Sequence, residues 1–155
     1  MKDQQKFFKL LKYSNILKRN NKYLSKEDSE AFDTLLKFLV IIEENLHYSE
    51  KDEYIDLAKD FLDNKITADD FSYSFMAIYE GIGEELKQMK LEESVELVNF
   101  LNKTDQDGLN IIRLLGRIYG CCDSFSPDPE IAMSDEKELK DYAQILILLF
   151  KLKEE

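Results

Sequence analysis

Asp105-Gln106-Asp107-Gly108 has the alternating acids and closing glycine of a calcium loop. Such a loop also needs oxygen ligands at its first and twelfth positions. Setting Gly108 at the invariant glycine puts Lys103 first and Leu114 twelfth, and neither can ligate a cation. The segment is expected instead to turn the chain and set its acids against the positive end of the next helix. His47, the only histidine, has no serine or cysteine nucleophile nearby in sequence and no marked carboxylate partner. It is expected to be an ordinary helix-end residue. Cys121 and Cys122 are adjacent, without the C-x-x-C spacing of redox or metal chemistry, and are expected to be reduced, partly buried thiols. Gly81-x-Gly83 lacks both the third glycine and the preceding strand of a nucleotide fingerprint. Carboxylates abound, yet no pair stands out for acid–base work. No metal, no cofactor and no enzymatic activity are expected.

The remaining segment suited to chemistry is Asp123-Ser124-Phe125-Ser126-Pro127-Asp128-Pro129-Glu130, followed by Asp135, Glu136, Glu138 and Asp141. Residues 123–141 hold seven acids and two lysines, a net charge of −5. Two prolines restrict the loop and lower the entropy lost on binding, and Phe125 is placed to anchor it. A stiff loop presenting carboxylates at spacings resembling phosphates is suited to a basic cleft. Electrostatic steering then makes association fast and salt-sensitive.

The elements that must position this loop are helical. Five glycines and two prolines in 155 residues are too few turn-formers for a strand-rich sandwich. The expected fold is all-α, an antiparallel bundle of six or seven helices with no sheet, large enough to bury a core unaided. The longest apolar run, Ile145–Phe150, is six residues, far short of the ~20 that span a bilayer. The first twenty residues show no signal-peptide pattern, so the chain is expected to be neither secreted nor transmembrane. The formal net charge of −11 argues against direct nucleic-acid binding and for a basic protein partner. That charge is uneven: residues 1–26 carry a net of +7 and the remaining 129 a net of −18. The basic arm is expected to dock on the acidic body, with a membrane-surface or nucleic-acid contact, or a loose arm, as the alternatives. Lysine outnumbers arginine 18 to three, as in AT-rich coding sequence.

Periodicity places helices over 3–20, from a Ser25 cap through Ile42, and from a Ser49–Asp52 cap pair to Leu62, with Asn64-Lys65 breaking the chain. Thr67 and Asp70 read as a capping box, flanked by an Ile66–Phe71 hydrophobic staple. The helix they open is expected to weaken at Gly81 and Gly83. Helices over 91–103 and 107–122 and a last one capped by Ser134 complete the pattern.

Ile55-Asp56-Leu57-Ala58-Lys59, Phe61-Leu62, Lys65-Ile66-Thr67-Ala68 and Phe71-Ser72 together resemble the first helical hairpin of colicin D-type immunity proteins. The later aromatic-x-Pro-Asp element, Phe125-Ser126-Pro127-Asp128, is similar to that family's and stands in the same order. The likeness covers roughly residues 54–150. It implies an immunity-like helical domain over 51–155 behind an N-terminal helical extension over 1–50. It further implies that an acidic surface plugs the basic active site of a tRNA-cleaving toxin domain by imitating RNA phosphates. On that likeness Asp123 and Asp128 fall at acidic contact positions and Glu130 at a further one, while Ser126 stands where the family can carry an acid. A plastid-encoded relative of unassigned role, a scaffold or peripheral membrane protein using the basic arm, is the alternative it leaves open. The compartment is then the plastid stroma if the chain is organelle-encoded and the bacterial cytoplasm otherwise.

Overall fold

Long amphipathic runs separated by a few strong stop signals give a chain of helices. The computed structural model describes residues 2–101, 109–128, 130 and 135–154. The helices are α1 (Lys2–Arg19), α2 (Leu24–Glu27), α3 (Ser29–Ser49), α4 (Lys51–Leu62), α5 (Ala68–Glu92), α6 (Leu97–Leu101), α7 (Leu109–Ser124) and α8 (Glu136–Glu154). There is no strand among the described residues, so the fold is the expected all-α bundle, with eight helices rather than six or seven. No helix is long and apolar enough to cross a membrane among the described residues.

The extra element comes from the second predicted helix, which is divided at Asp28. Asp28 Oδ1 accepts the Ala31 amide at 3.1 Å and caps α3, the task expected of Ser25. The Ser49–Asp52 cap pair is also corrected: Ser49 is the last residue of α3, and α4 starts behind Glu50 with no side-chain cap. The Thr67–Asp70 box forms as read. Thr67 Oγ1 accepts the Asp70 amide at 3.1 Å, and Asp70 Oδ2 accepts the Thr67 amide at 3.3 Å. α8 is capped by Asp135, whose Oδ1 accepts the Glu138 amide at 2.8 Å; Ser134 and Asp105–Gly108 lie outside the described residues.

The ends of α1, α4 and α5 share one device. Asn21, Asn64 and Glu93 have φ of 58°, 59° and 52°, the left-handed conformation. After each, the next amide bonds back across a full turn, Lys22 to the Leu17 carbonyl, Lys65 to Asp60 and Ser94 to Met89. These are Schellman closures, in which asparagine tolerates a backbone that most side chains resist. Asn64 therefore supplies the break read from Asn64-Lys65. Gly81 and Gly83, by contrast, end nothing: α5 runs through both to Glu92. The helix expected over 91–103 shrinks to α6, because α5 occupies its first residues.

The chain gathers into two compact units, one of Met1–Leu46 with Gly83–Leu109 and one of His47–Ile82 with Asn110–Glu155. In the first unit Phe7, fully buried on α1, meets Phe38 of α3 edge-on at 5.9 Å between ring centres. Asn15 Nδ2 donates to the Lys90 carbonyl at 2.9 Å and to Glu93 Oε2 at 3.2 Å, tying α1 to the end of α5. Asn45 Nδ2 donates to the Phe100 carbonyl at 2.5 Å.

In the second unit α4 packs along α8. Its core is aromatic: Tyr54, Phe61, Phe71, Phe75 and Phe150 are fully buried beside Leu115, Ile118, Leu139 and Leu146. Phe61 stacks on Phe71 at 4.6 Å, Tyr54 on Phe150 at 6.0 Å, and Tyr54 leans on Phe75 at 5.4 Å. Rings of this size bury the most apolar area per residue and hold the α4–α5 hairpin rigid.

Candidate functional site

The acidic loop begins where α7 stops. The Ser124 hydroxyl donates back to the Gly120 carbonyl, and the Phe125 amide reaches the Cys122 carbonyl at 3.3 Å, closing the last turn. Phe125 is half-buried, which partly meets its expected role as anchor. Beyond it side chains tie the backbone in steps. Ser126 Oγ accepts the Asp128 amide at 3.2 Å, and Asp128 Oδ1 accepts the Glu130 amide at 3.0 Å. Turns of this kind are the local alternative that serine and aspartate offer to helix. Pro127 is exposed, and Pro129 lies outside the described residues.

Asp123, Asp128 and Glu130 are all exposed, and no lysine or arginine pairs with any of them among the described residues. Asp128 spends one carboxylate oxygen on the Glu130 amide. Asp123 lies close enough to Tyr119 to act on its hydroxyl. The hydrogen bond that Tyr119 donates to Glu80, with some desolvation and the charges of Glu80 and Asp123, pushes that hydroxyl up to about 12.

A surface groove of about 830 Å³ in this unit is lined by the α4–α5 hairpin, residues 64–70, by Phe125, Ser126 and Pro127, and by the start of α8. Its walls carry Asp69, Asp70, Asp135, Glu136 and Glu138 against Lys65. The hairpin and the aromatic-x-Pro element, over fifty residues apart in sequence, thus share one wall system. Two helix N-termini open here, and their first-turn acids complement the positive ends of α5 and α8. Asp70 and Asp135 are partly engaged as caps, whereas Asp69, Glu136 and Glu138 are exposed. Lys140 is turned away, binding the Asn64 side-chain oxygen and lying 4.9 Å over the Phe61 ring.

The groove does not include Asp123, Asp128 or Glu130. The sequence weighed Asp135, Glu136 and Glu138 only as part of a net charge, and took Asp70 for a cap alone. A signal for the groove was present: acids in the first turns of two helices whose starts are both marked by caps. What the sequence lacks is the tertiary contact that sets the two starts side by side.

The cysteines and the histidine weighed for chemistry are buried. Burial, opposed in part by the Ser72 hydroxyl and reinforced by Cys121, pushes the Cys122 thiol up to about 12, so the nucleophilic thiolate is scarce near neutrality. Both cysteines are buried and neither is in a disulfide, as read. His47 lies in the last turn of α3, the helix-end place read for it, and is buried there. It is 1% exposed, its Nδ1 lies 2.9 Å from the Tyr54 hydroxyl, and its ring stacks on Tyr79 at 5.1 Å. Its role is packing. No cluster of three or more His, Cys, Asp or Glu fit to hold a metal occurs among the described residues.

Comparison of the chain with protein-family models, with curated proteins and with solved structures found no match.

Proposed function

We propose that this protein is a non-enzymatic, immunity-like inhibitor that binds a basic nuclease domain, of the tRNA-cleaving toxin kind, through the acidic face around Asp123, Asp128 and Glu130. The observation that carries the proposal is the exposure of those three carboxylates on a loop stiffened by its own hydrogen bonds, with no cation of the described chain drawn onto them. An anionic surface already balanced by its own lysines would have little attraction left for a partner. The five acids of the adjoining groove extend the negative field over the same unit. The resemblance of the hairpin and of Phe125-Ser126-Pro127-Asp128 to colicin D-type immunity proteins supplies the partner class.

The mechanism is occupation. Carboxylates placed where RNA phosphates would lie pair with the nuclease's lysines and arginines and exclude the substrate. Each close, desolvated pair contributes about 1.5–7 kcal/mol. The test is inhibition of a colicin D-type nuclease domain acting on tRNA, with affinity measured alongside. Asp128→Asn weakens binding by roughly tenfold or more, Glu154→Gln at the tail leaves it unchanged, and raised salt slows association. Equal effects of the two substitutions, or no inhibition by the unaltered protein, overturn the proposal.

A further inference from the structure

We infer that the first unit carries a second, oppositely charged docking site: a lysine-rimmed groove that takes an acidic amphipathic helix from a protein partner. The groove, about 850 Å³, lies between α1 and the 93–98 segment. Its rim is Lys2, Lys6, Lys9 and Lys12, all exposed, spaced three or four residues apart on α1. Like charges at that spacing repel one another along a helix and destabilise it. No ion pair among the described residues relieves them. The one acid in the lining among the described residues, Glu93, is already engaged by Asn15. A stripe of unrelieved cations is what an anionic ligand would stabilise.

The floor selects among anions. Phe8 and Val98 are half-buried, and Val95 is 78% exposed, an apolar surface left facing water inside a cationic rim. The matching ligand has an apolar stripe edged by carboxylates, which is one face of an acidic helix laid in a groove. The lysines span about 15 Å along α1, the length of three helical turns. A lipid bilayer fits less well. The apolar side of α1 is spent on the core at Phe7 and Leu11, and its exposed Tyr13 and Ile16 lie outside the lysine-rimmed groove. Nucleic acid gains nothing from the valine floor and meets a chain of net charge −11.

The experiment uses the full chain and a labelled helical peptide of leucine and glutamate, about 18 residues long so that it is helical unaided, followed by fluorescence anisotropy. The expected result is binding that falls roughly tenfold in the Lys6→Glu/Lys9→Glu double variant and also falls in Val95→Asp. Lys37→Glu, at an exposed lysine of α3 outside the groove, and Asp128→Asn leave it unchanged, so failure here is distinct from failure of the inhibitor role. Circular dichroism of each variant confirms that α1 is retained. The inference is overturned if a scrambled peptide of the same composition binds equally well. It is overturned too if no peptide binds, or if phosphatidylglycerol vesicles or single-stranded RNA bind more tightly and lose binding with the same lysines.

Discussion

His47 Nδ1 and the Tyr54 hydroxyl sit 2.9 Å apart in the second unit, both essentially excluded from water, joining the last residues of α3 to the first turn of α4. The pair closes the α3–α4 corner without any side-chain cap on α4, and the Tyr79 ring covers the imidazole from one face. Tyr54→Phe keeps the ring stacking with Phe75 and Phe150 and removes only this bond. A buried polar group that loses a partner costs about 1–3 kcal/mol. Urea unfolding of Tyr54→Phe should show a loss in that range with an unchanged slope. A variant as stable as the parent would mean that the bond contributes nothing.

Three groups make stability fall in alkali. Burial raises Tyr54 well above its ordinary value of 10.0, the Glu80 hydrogen bond raises Tyr119 to about 12, and burial raises Cys122 from 9.0 to about 12. Each folded-state value lies above the unfolded one, so the folded chain holds protons that the unfolded chain has released. The contribution of these three groups is full below pH 9 and is lost as pH rises, first through Cys122 from 9 to about 12 and, from 10, through the tyrosines. Cys122→Ala should flatten the first part of the decline, from pH 9 to 10, in urea melts taken at stepped pH. An unchanged slope there would place the titration elsewhere.

The sequence revealed what depends on neighbours in the chain and missed what depends on contacts across it. The Thr67–Asp70 box was legible because all its atoms lie within four residues, and the Asn64 stop because asparagine tolerates a left-handed backbone. Ser25 and Ser49 were misread since several polar residues stand near each start, and only the backbone path decides which is used. His47 was underrated because its partners, Tyr54 and Tyr79, come from two later helices. The acidic groove was hidden for the same reason, its walls lying in segments over fifty residues apart. A unit assembled from 1–46 and 83–109 is likewise invisible to a reading in chain order.

The caps can be told apart by substitution. Thr67→Ala removes the acceptor of the Asp70 amide and should cost about 1 kcal/mol, as should Asp28→Ala and Asp135→Ala. Ser25→Ala, at an exposed residue that caps no helix start, should stay within about 0.5 kcal/mol of the parent. Thermal melts of the four variants check the ordering, and a Ser25 effect as large as that of Asp28 would contradict the assigned start of α3.

Gly81 and Gly83 sit in the exposed middle of α5, at ordinary negative φ, and a Cβ built on either meets no other atom within 4 Å. Neither a turn nor a close approach requires them. Glycine in a helix interior costs up to about 1 kcal/mol against alanine, mostly through the freedom that it returns to the unfolded chain. Gly81→Ala and Gly83→Ala should therefore each stabilise the protein by about 0.4–1 kcal/mol, and roughly additively if neither strains α5. Denaturant midpoints of the single and double variants provide the measurement. The two compact units divide α5 between Ile82 and Gly83, beside both glycines. Amide exchange along α5 should slow most around that point in the double alanine variant, because stiffening acts where the helix is weakest. Stabilisation without local protection would show that the glycines act only through the unfolded state, and destabilisation would show that α5 needs them for a bend.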